Sequence, residues 1–264
     1  MRVFMKLRNH PRLDEPETGW EPRGLRELNA TDDKDHFMFK PAADAWPVYK
    51  GESFDLWQPE TGTVYAWADP QEIVGVLQAR RANQVKIKRS AFHGMPVDWT
   101  ADPATLPCQL PRIAWRDTAR ATDSRTVRAA LVPPRTILVH QAYYLFWRQG
   151  DAASEAYALG VLSSIPFDWY ARQMVESHVT VEFMRSVPVP RPAADDSRRK
   201  RVIEIAGTLA AVDERYAAWA SAVGVSVGKI GAGRNEVLAE LDAIIASLYG
   251  LTRDDVGLIF ERST

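Results

Sequence analysis

The chain has one cysteine, Cys108, so no internal disulfide and no cysteine-rich zinc site can form, and the usage fits a reducing cytoplasm. Long apolar runs are missing too: none approaches the length that crosses a bilayer, which points to a protein with no membrane-spanning helix. The first residues, Met1 to Arg8, hold no uninterrupted apolar stretch of signal-peptide length. Charge of one sign is not in excess either. The 33 Lys+Arg and 34 Asp+Glu leave a formal net charge of −1, which excludes a strongly basic, non-specific nucleic-acid binder.

Familiar catalytic signatures are absent as well. There is no dinucleotide fingerprint after a strand, no phosphate-binding P-loop and no nucleophile elbow. The histidines, at 10, 36, 93, 140 and 178, form no pair at metal-ligand spacing. Asp55 near Lys50 is only a weak nuclease candidate, and Pro133-Pro134 lacks the flanking residues of the adenine-methylation motif. Cys108 has no base beside it in sequence and reads as a buried thiol rather than a nucleophile.

What remains is an ordinary globular composition, 46% hydrophobic and 25% charged, in a chain of 264 residues long enough to bury a core. Residues 1–45 are broken by Pro11, Pro16 and Pro22 and read as loop with at most a short strand. A hairpin is expected from 54–57 and 63–67, and Asp69-Pro70 opens a helix with its own cap. Segments 111–117, 126–131, 136–140 and 143–147 have strand character and suggest an antiparallel sheet or open barrel. From 152 to 175 the apolar period becomes helical, and Pro166 must kink or divide that helix. Residues 180–183 and 187–190 read as extended. Beyond the linker at 191–196, helices are expected at about 197–222 and 234–249, with a last one capped by Thr252 and Asp255. The expected class is therefore α+β: a β-rich module with a long packing helix over 1–192, its lead-in being 1–45, then a helical hairpin over 193–264.

The neutral sum hides a segregation of charge. Five basic residues and no acid lie between Arg80 and Arg89: Arg80, Arg81, Lys86, Lys88 and Arg89. Six arginines lie between Arg112 and Arg135 against only Asp117 and Asp123. Arginine offers a rigid fork of donors to phosphates and guanine edges. Arg112, Arg116, Arg120 and Arg125 are thus the first candidates for DNA contact, and the 80–89 cluster follows. Tyr143 is a candidate for stacking on a base, although core packing competes for it and its neighbours Tyr144 and Trp147.

Ordered motifs sharpen this. Trp46-Pro47-Val48-Tyr49-Lys50-Gly51, Pro111-Arg112-Ile113-Ala114-Trp115-Arg116-Asp117, Arg120 to Thr126, Ala129 to Pro133, and Ser177-His178 through Pro188-Val189-Pro190 occur in sequence. Together they resemble the C-terminal target-recognition region of adenine-specific DNA methyltransferases of type IIG-like restriction–modification and phage-defence systems. Thr180 and Val181 stand where that family usually carries Asn. The resemblance implies recognition of double-stranded DNA for an adenine-N6 methyltransferase, with no catalytic motif and no cofactor in this chain. S-adenosylmethionine would bind the methyltransferase domain or subunit that partners it. A protein-interaction scaffold of a defence complex and a small nuclease with an unrecognised site are the alternatives.

Overall fold

The computed structural model describes residues 1–120 and 122–261. In chain order the elements are α1 (Arg2–Arg8), β1 (Pro22–Leu25), β2 (Trp46–Tyr49), β3 (Ala66–Ala68), α2 (Pro70–Gln84) and α3 (Val97–Ala101). Then follow β4 (Arg112–Arg116), β5 (Ala129–Val132), β6 (Ile137–Leu138), β7 (Ala142–Trp147), α4 (Ala152–Leu162), α5 (Ile165–Arg172) and α6 (Val181–Ser186). The chain closes with α7 (Ser197–Ala210), α8 (Ala217–Val223), α9 (Arg234–Leu248) and α10 (Arg253–Glu261). The fold is α+β, as expected. No helix among the described residues is long and apolar enough to cross a membrane.

Two sheets form. The larger is antiparallel throughout, in the order β1-β7-β4-β5, with Ala114 opposite both Ala130 and Tyr144. The smaller has the order β3-β2-β6, and β6 runs parallel to β2. The strand expected at 136–140 therefore leaves the sheet of its sequence neighbours and joins the other one. No barrel closes among the described residues.

Helix α4 explains the large core. Apart from Ser154 and Glu155 it is apolar, and every residue from Ser154 to Leu162 is buried, the pattern of a helix covered on all sides. β5 lies on one side of it, α7 and α8 on others. Gly160 lets α7 approach: a Cβ there would sit 2.7 Å from Val202 Cγ1. Residues of the sheet, α4, α5, α7 and α9 thereby share one hydrophobic cluster, so the C-terminal helices pack on the same core as the strands. Pro166 divides the long helix as its sequence requires. Ser163 and Ser164 separate α4 from α5, with the Ser164 hydroxyl accepting from the Phe167 amide at 3.4 Å.

Three local readings are corrected. Residues 54–57 are not a strand: Phe54 is buried, and Asp55 pairs back on Gln58 around a Trp57 held at φ +57°. The β3 partner is instead Trp46–Tyr49. Residues 181–186 form a helix, because Thr180 accepts from the Phe183 amide at 3.1 Å and starts a turn that the β-branched pattern conceals. That helix lies on β1 where Gly24 leaves room, with Val181 Cγ1 2.9 Å from where a Cβ would be. The lead-in segment begins with a helix, α1, that buries Val3 and Leu7 and stacks Phe4 on Tyr170 at 5.1 Å. It has no side-chain cap, so no start signal marks it.

Candidate nucleic-acid interface

Helix α2 is set by Asp69, whose side chain accepts from the amides of Gln71 and Glu72, each at 2.9 Å. Past its last turn the chain folds through successive short-range turns, with Lys86, Ile87 and Ser90 amides donating to Asn83, Gln84 and Ile87 carbonyls. Lys86, Lys88 and Arg89 project from this turn. All three are exposed, and their side chains make no hydrogen bond or ion pair among the described residues. The base of the turn is anchored. Phe92 packs on Phe146 with ring centres 5.0 Å apart, and Arg148 donates to the His93 carbonyl at 2.9 Å. A fixed base under free cationic tips suits contact with a flexible polyanion.

Beside the turn is a cleft of about 340 Å³ whose lining includes Arg26, Arg80, Arg81, Arg89 and Tyr144. Here the structure brings Arg80, Arg81 and Arg89 of the first basic cluster together, but with unequal freedom, while Lys86 and Lys88 do not line the cleft. Arg80 is bound to the Asp33 carboxylate and remains 40% exposed. Arg81 is buried. It donates to Thr105 Oγ1 at 2.9 Å, to Gln78 Oε1 at 2.7 Å and to the Asp102 carbonyl at 2.7 Å. Burial lowers its pKa, and it serves as a brace between α2 and the 102–105 loop. Arg26 is no candidate in the sequence, because it is isolated among the polar residues of the lead-in. It reaches the cleft because it directly follows β1.

The arginines of the second cluster are dispersed. Arg112 is buried, donating to Glu27 at 2.8 Å, to the Thr136 carbonyl at 2.9 Å and to the Pro107 carbonyl at 3.2 Å. Burial raises the Glu27 pKa, and the charge of Arg112 opposes that rise. Arg116 turns its guanidinium onto the Phe54 carbonyl and lies 3.3 Å from Asp55. Arg128 bridges Asp55, at 3.7 Å, and Asp123, at 2.8 Å. Arg125 lines a separate groove with Pro166, Leu238 and Phe260 and faces the buried Asp168 and the half-buried Asp242. Only Arg120 of the four is exposed with an unpaired side chain among the described residues, on a turn closed by its own amide donating to Asp123 at 2.9 Å. As placed, Arg81 and Arg112 present no guanidinium to a ligand outside.

Tyr143 is half-buried, with its ring tilted on Trp115 at 5.5 Å. Burial raises its pKa, and the hydroxyl shares a hydrogen bond with Arg26. It therefore joins the cleft's Arg26 to the β4–β7 pair, where Trp115 lies opposite it.

The remaining candidates are plain. Asp55 is taken by Arg116 and Arg128, while Lys50 sits over the Tyr65 ring at 4.2 Å and 3.8 Å from Glu52, so the two do not form a cluster. No group of three or more His, Cys, Asp or Glu side chains is placed to hold a metal among the described residues. Cys108 is fully buried, and burial pushes its thiol up to about 12.

No protein-family profile matches the chain, and no curated protein matches it. Among solved structures, it is similar to the type IIL restriction–modification enzyme MmeI in complex with DNA. The sequence identity is 12% and the TM-score 0.43, over 92% of this chain. The chain spans 35% of the length of that enzyme.

Proposed function

We propose that this chain is a DNA target-recognition region serving an adenine-N6 methyltransferase or restriction–modification enzyme, with no catalytic centre of its own. The observation that carries the reading is the turn at 86–89: three exposed, unpaired cations on an anchored base, beside a cleft lined by arginines. The ordered motifs that resemble such recognition regions add to it. Lys86, Lys88 and Arg89 would hold backbone phosphates and fix register. Arg120, Arg26 and Tyr143 are the side chains with the freedom or position to reach further, toward base edges or an unstacked base. The partner methyltransferase would bind S-adenosylmethionine and flip the adenine.

The test is the salt dependence of duplex binding, measured with the methyltransferase partner present. Replacing Lys86, Lys88 and Arg89 together by Ala should lower the slope of log K against log salt by about 2–3, since each phosphate no longer neutralised removes about 0.9. An unchanged slope and affinity would overturn the reading. Metal-dependent plasmid cleavage by the chain alone would favour the nuclease alternative. Co-purification with partners but no protection of DNA in footprinting would favour the scaffold.

A further inference from the structure

Ile87 sits in the basic turn and is 47% exposed. Lys86 and Lys88 flank it and Arg89 follows, the three exposed cations whose side chains have no partner among the described residues. Of the large apolar side chains exposed among the described residues, it is the one with a cation on both sides in the chain.

Its backbone is held fast. The Ile87 amide donates to the Gln84 carbonyl at 3.0 Å, and the Ile87 carbonyl accepts from the Ser90 amide at 2.8 Å. His93 Nδ1 lies 2.9 Å from the Val85 carbonyl and closes the turn across its base. The side chain borders the arginine-lined cleft, and as a β-branched residue it is stiff at its first torsion.

The inference that follows rests on the reading of this turn as a DNA contact. Cations on both sides of one residue would grip phosphates on both sides of whatever that residue meets. Between neighbouring phosphates lies a base step, whose edges are polar apart from the thymine methyl and whose faces are apolar. Apolar side chains of DNA-binding proteins enter such steps, partly unstack them and kink the duplex. The move needs a strong grip on the phosphates beside it. It also needs a stiff side chain on a fixed backbone, since a mobile one would yield before the stack does. Ile87 has both. A bilayer is the poorer occupant, because one isoleucine gives it little apolar area to hold.

We infer that Ile87 is a wedge that enters the base stack of DNA gripped by Lys86, Lys88 and Arg89.

The test compares a fully paired duplex with one of the same sequence carrying a single-nucleotide bulge, each with 2-aminopurine beside the bulge position. The full chain is used without a methyltransferase, so that no partner flips a base. A bulge removes much of the unstacking cost, so the wild type should bind the bulged duplex about tenfold more tightly and raise the 2-aminopurine fluorescence. Ile87→Ala should bind both duplexes alike with no such rise, while its urea midpoint and its salt slope keep the wild-type values, because the cations remain. Ile87→Met should restore the preference. A preference that persists in Ile87→Ala overturns the wedge. An affinity loss in Ile87→Ala that is equal on both duplexes, and that disappears when thymine is replaced by uracil, assigns Ile87 to a thymine methyl in the groove instead. Binding to phosphatidylserine vesicles that Ile87→Ala removes, with no bulge preference, assigns it to a membrane. A wild type whose duplex affinity ignores salt overturns the reading of the turn and the wedge with it. A salt-dependent wild type without bulge preference overturns the wedge alone.

Discussion

Arg112 donates to Glu27 at 2.8 Å, and each side chain is only 3% exposed. The most conspicuous arginine of the Pro111–Asp117 motif is thus a structural one. It ties β4 to the residue after Arg26, and Glu27 in turn accepts from the Leu138 amide at 2.7 Å, so both sheets meet at this pair.

Removing one partner leaves the other charged, buried and alone. Arg112→Ala should cost about 3–5 kcal/mol of stability in urea unfolding. The salt slope of DNA binding should not change in the protein that remains folded. Arg120→Ala should behave oppositely, within about 0.5 kcal/mol of wild type in stability but weaker on the duplex. Equal stability losses in the two variants would contradict this division.

Gly160→Ala should destabilise, although alanine is the better helix former by about 1 kcal/mol. The added methyl would press on Val202 Cγ1 at 2.7 Å and on Ala206 Cβ at 3.3 Å, between two fixed helices. Overpacking of this kind costs about 1–3 kcal/mol, which outweighs the propensity gain. Thermal unfolding gives the sign directly.

Burial pushes the Glu155 carboxyl up to about 7 from its ordinary 4.5, against the hydrogen bonds that favour its ionised form. Between those two values the folded chain holds a proton that the unfolded chain has released. Stability from this group therefore falls as pH rises from about 4.5 to about 7. Glu155→Gln should flatten that part of the profile, shrinking the difference between urea unfolding at pH 5 and pH 8 by about 1–3 kcal/mol.

Asp255 has the opposite sign. Lys6, above all, then the Thr252 amide and hydroxyl and Arg2, hold its carboxyl far below the usual carboxylate range. Its contribution is complete above its ordinary value near 3.8 and disappears as pH falls below it. Asp255→Asn should cost about 1–3 kcal/mol at pH 7 and progressively less in acid. A cost independent of pH down to about 2 would assign the effect to packing instead.

Elements with a chemical start signal are readable from the sequence. Asp69-Pro70 opens α2, Pro166 divides the long helix, and Thr252 with Asp255 caps α10, because each signal acts within four residues. α6 is not, since its Val181 and Phe183 look like strand residues and only the Thr180 cap decides. β6 is recognisable as a strand but its sheet is not, because a two-residue pairing with β2 is settled by tertiary packing. The site divides in the same way. The charge density of 80–89 is legible, and its exposed half is the free turn. No local pattern separates Arg81 and Arg112, turned inward onto carbonyls and carboxylates from distant segments, from Arg120. Arg26 carries no signal at all until β1 places it.

The clasp of Arg2 and Lys6 on Asp255 joins residues separated by 253 and 249 positions. Such contacts form late, since the loop they close is nearly the whole chain. During synthesis α1 can pack on α5 through Phe4 and Tyr170 well before Asp255 of α10 has left the ribosome. Helix α1 is then among the last of the described elements to find its ionic partner, and an early stop before residue 255 would leave it without that contact.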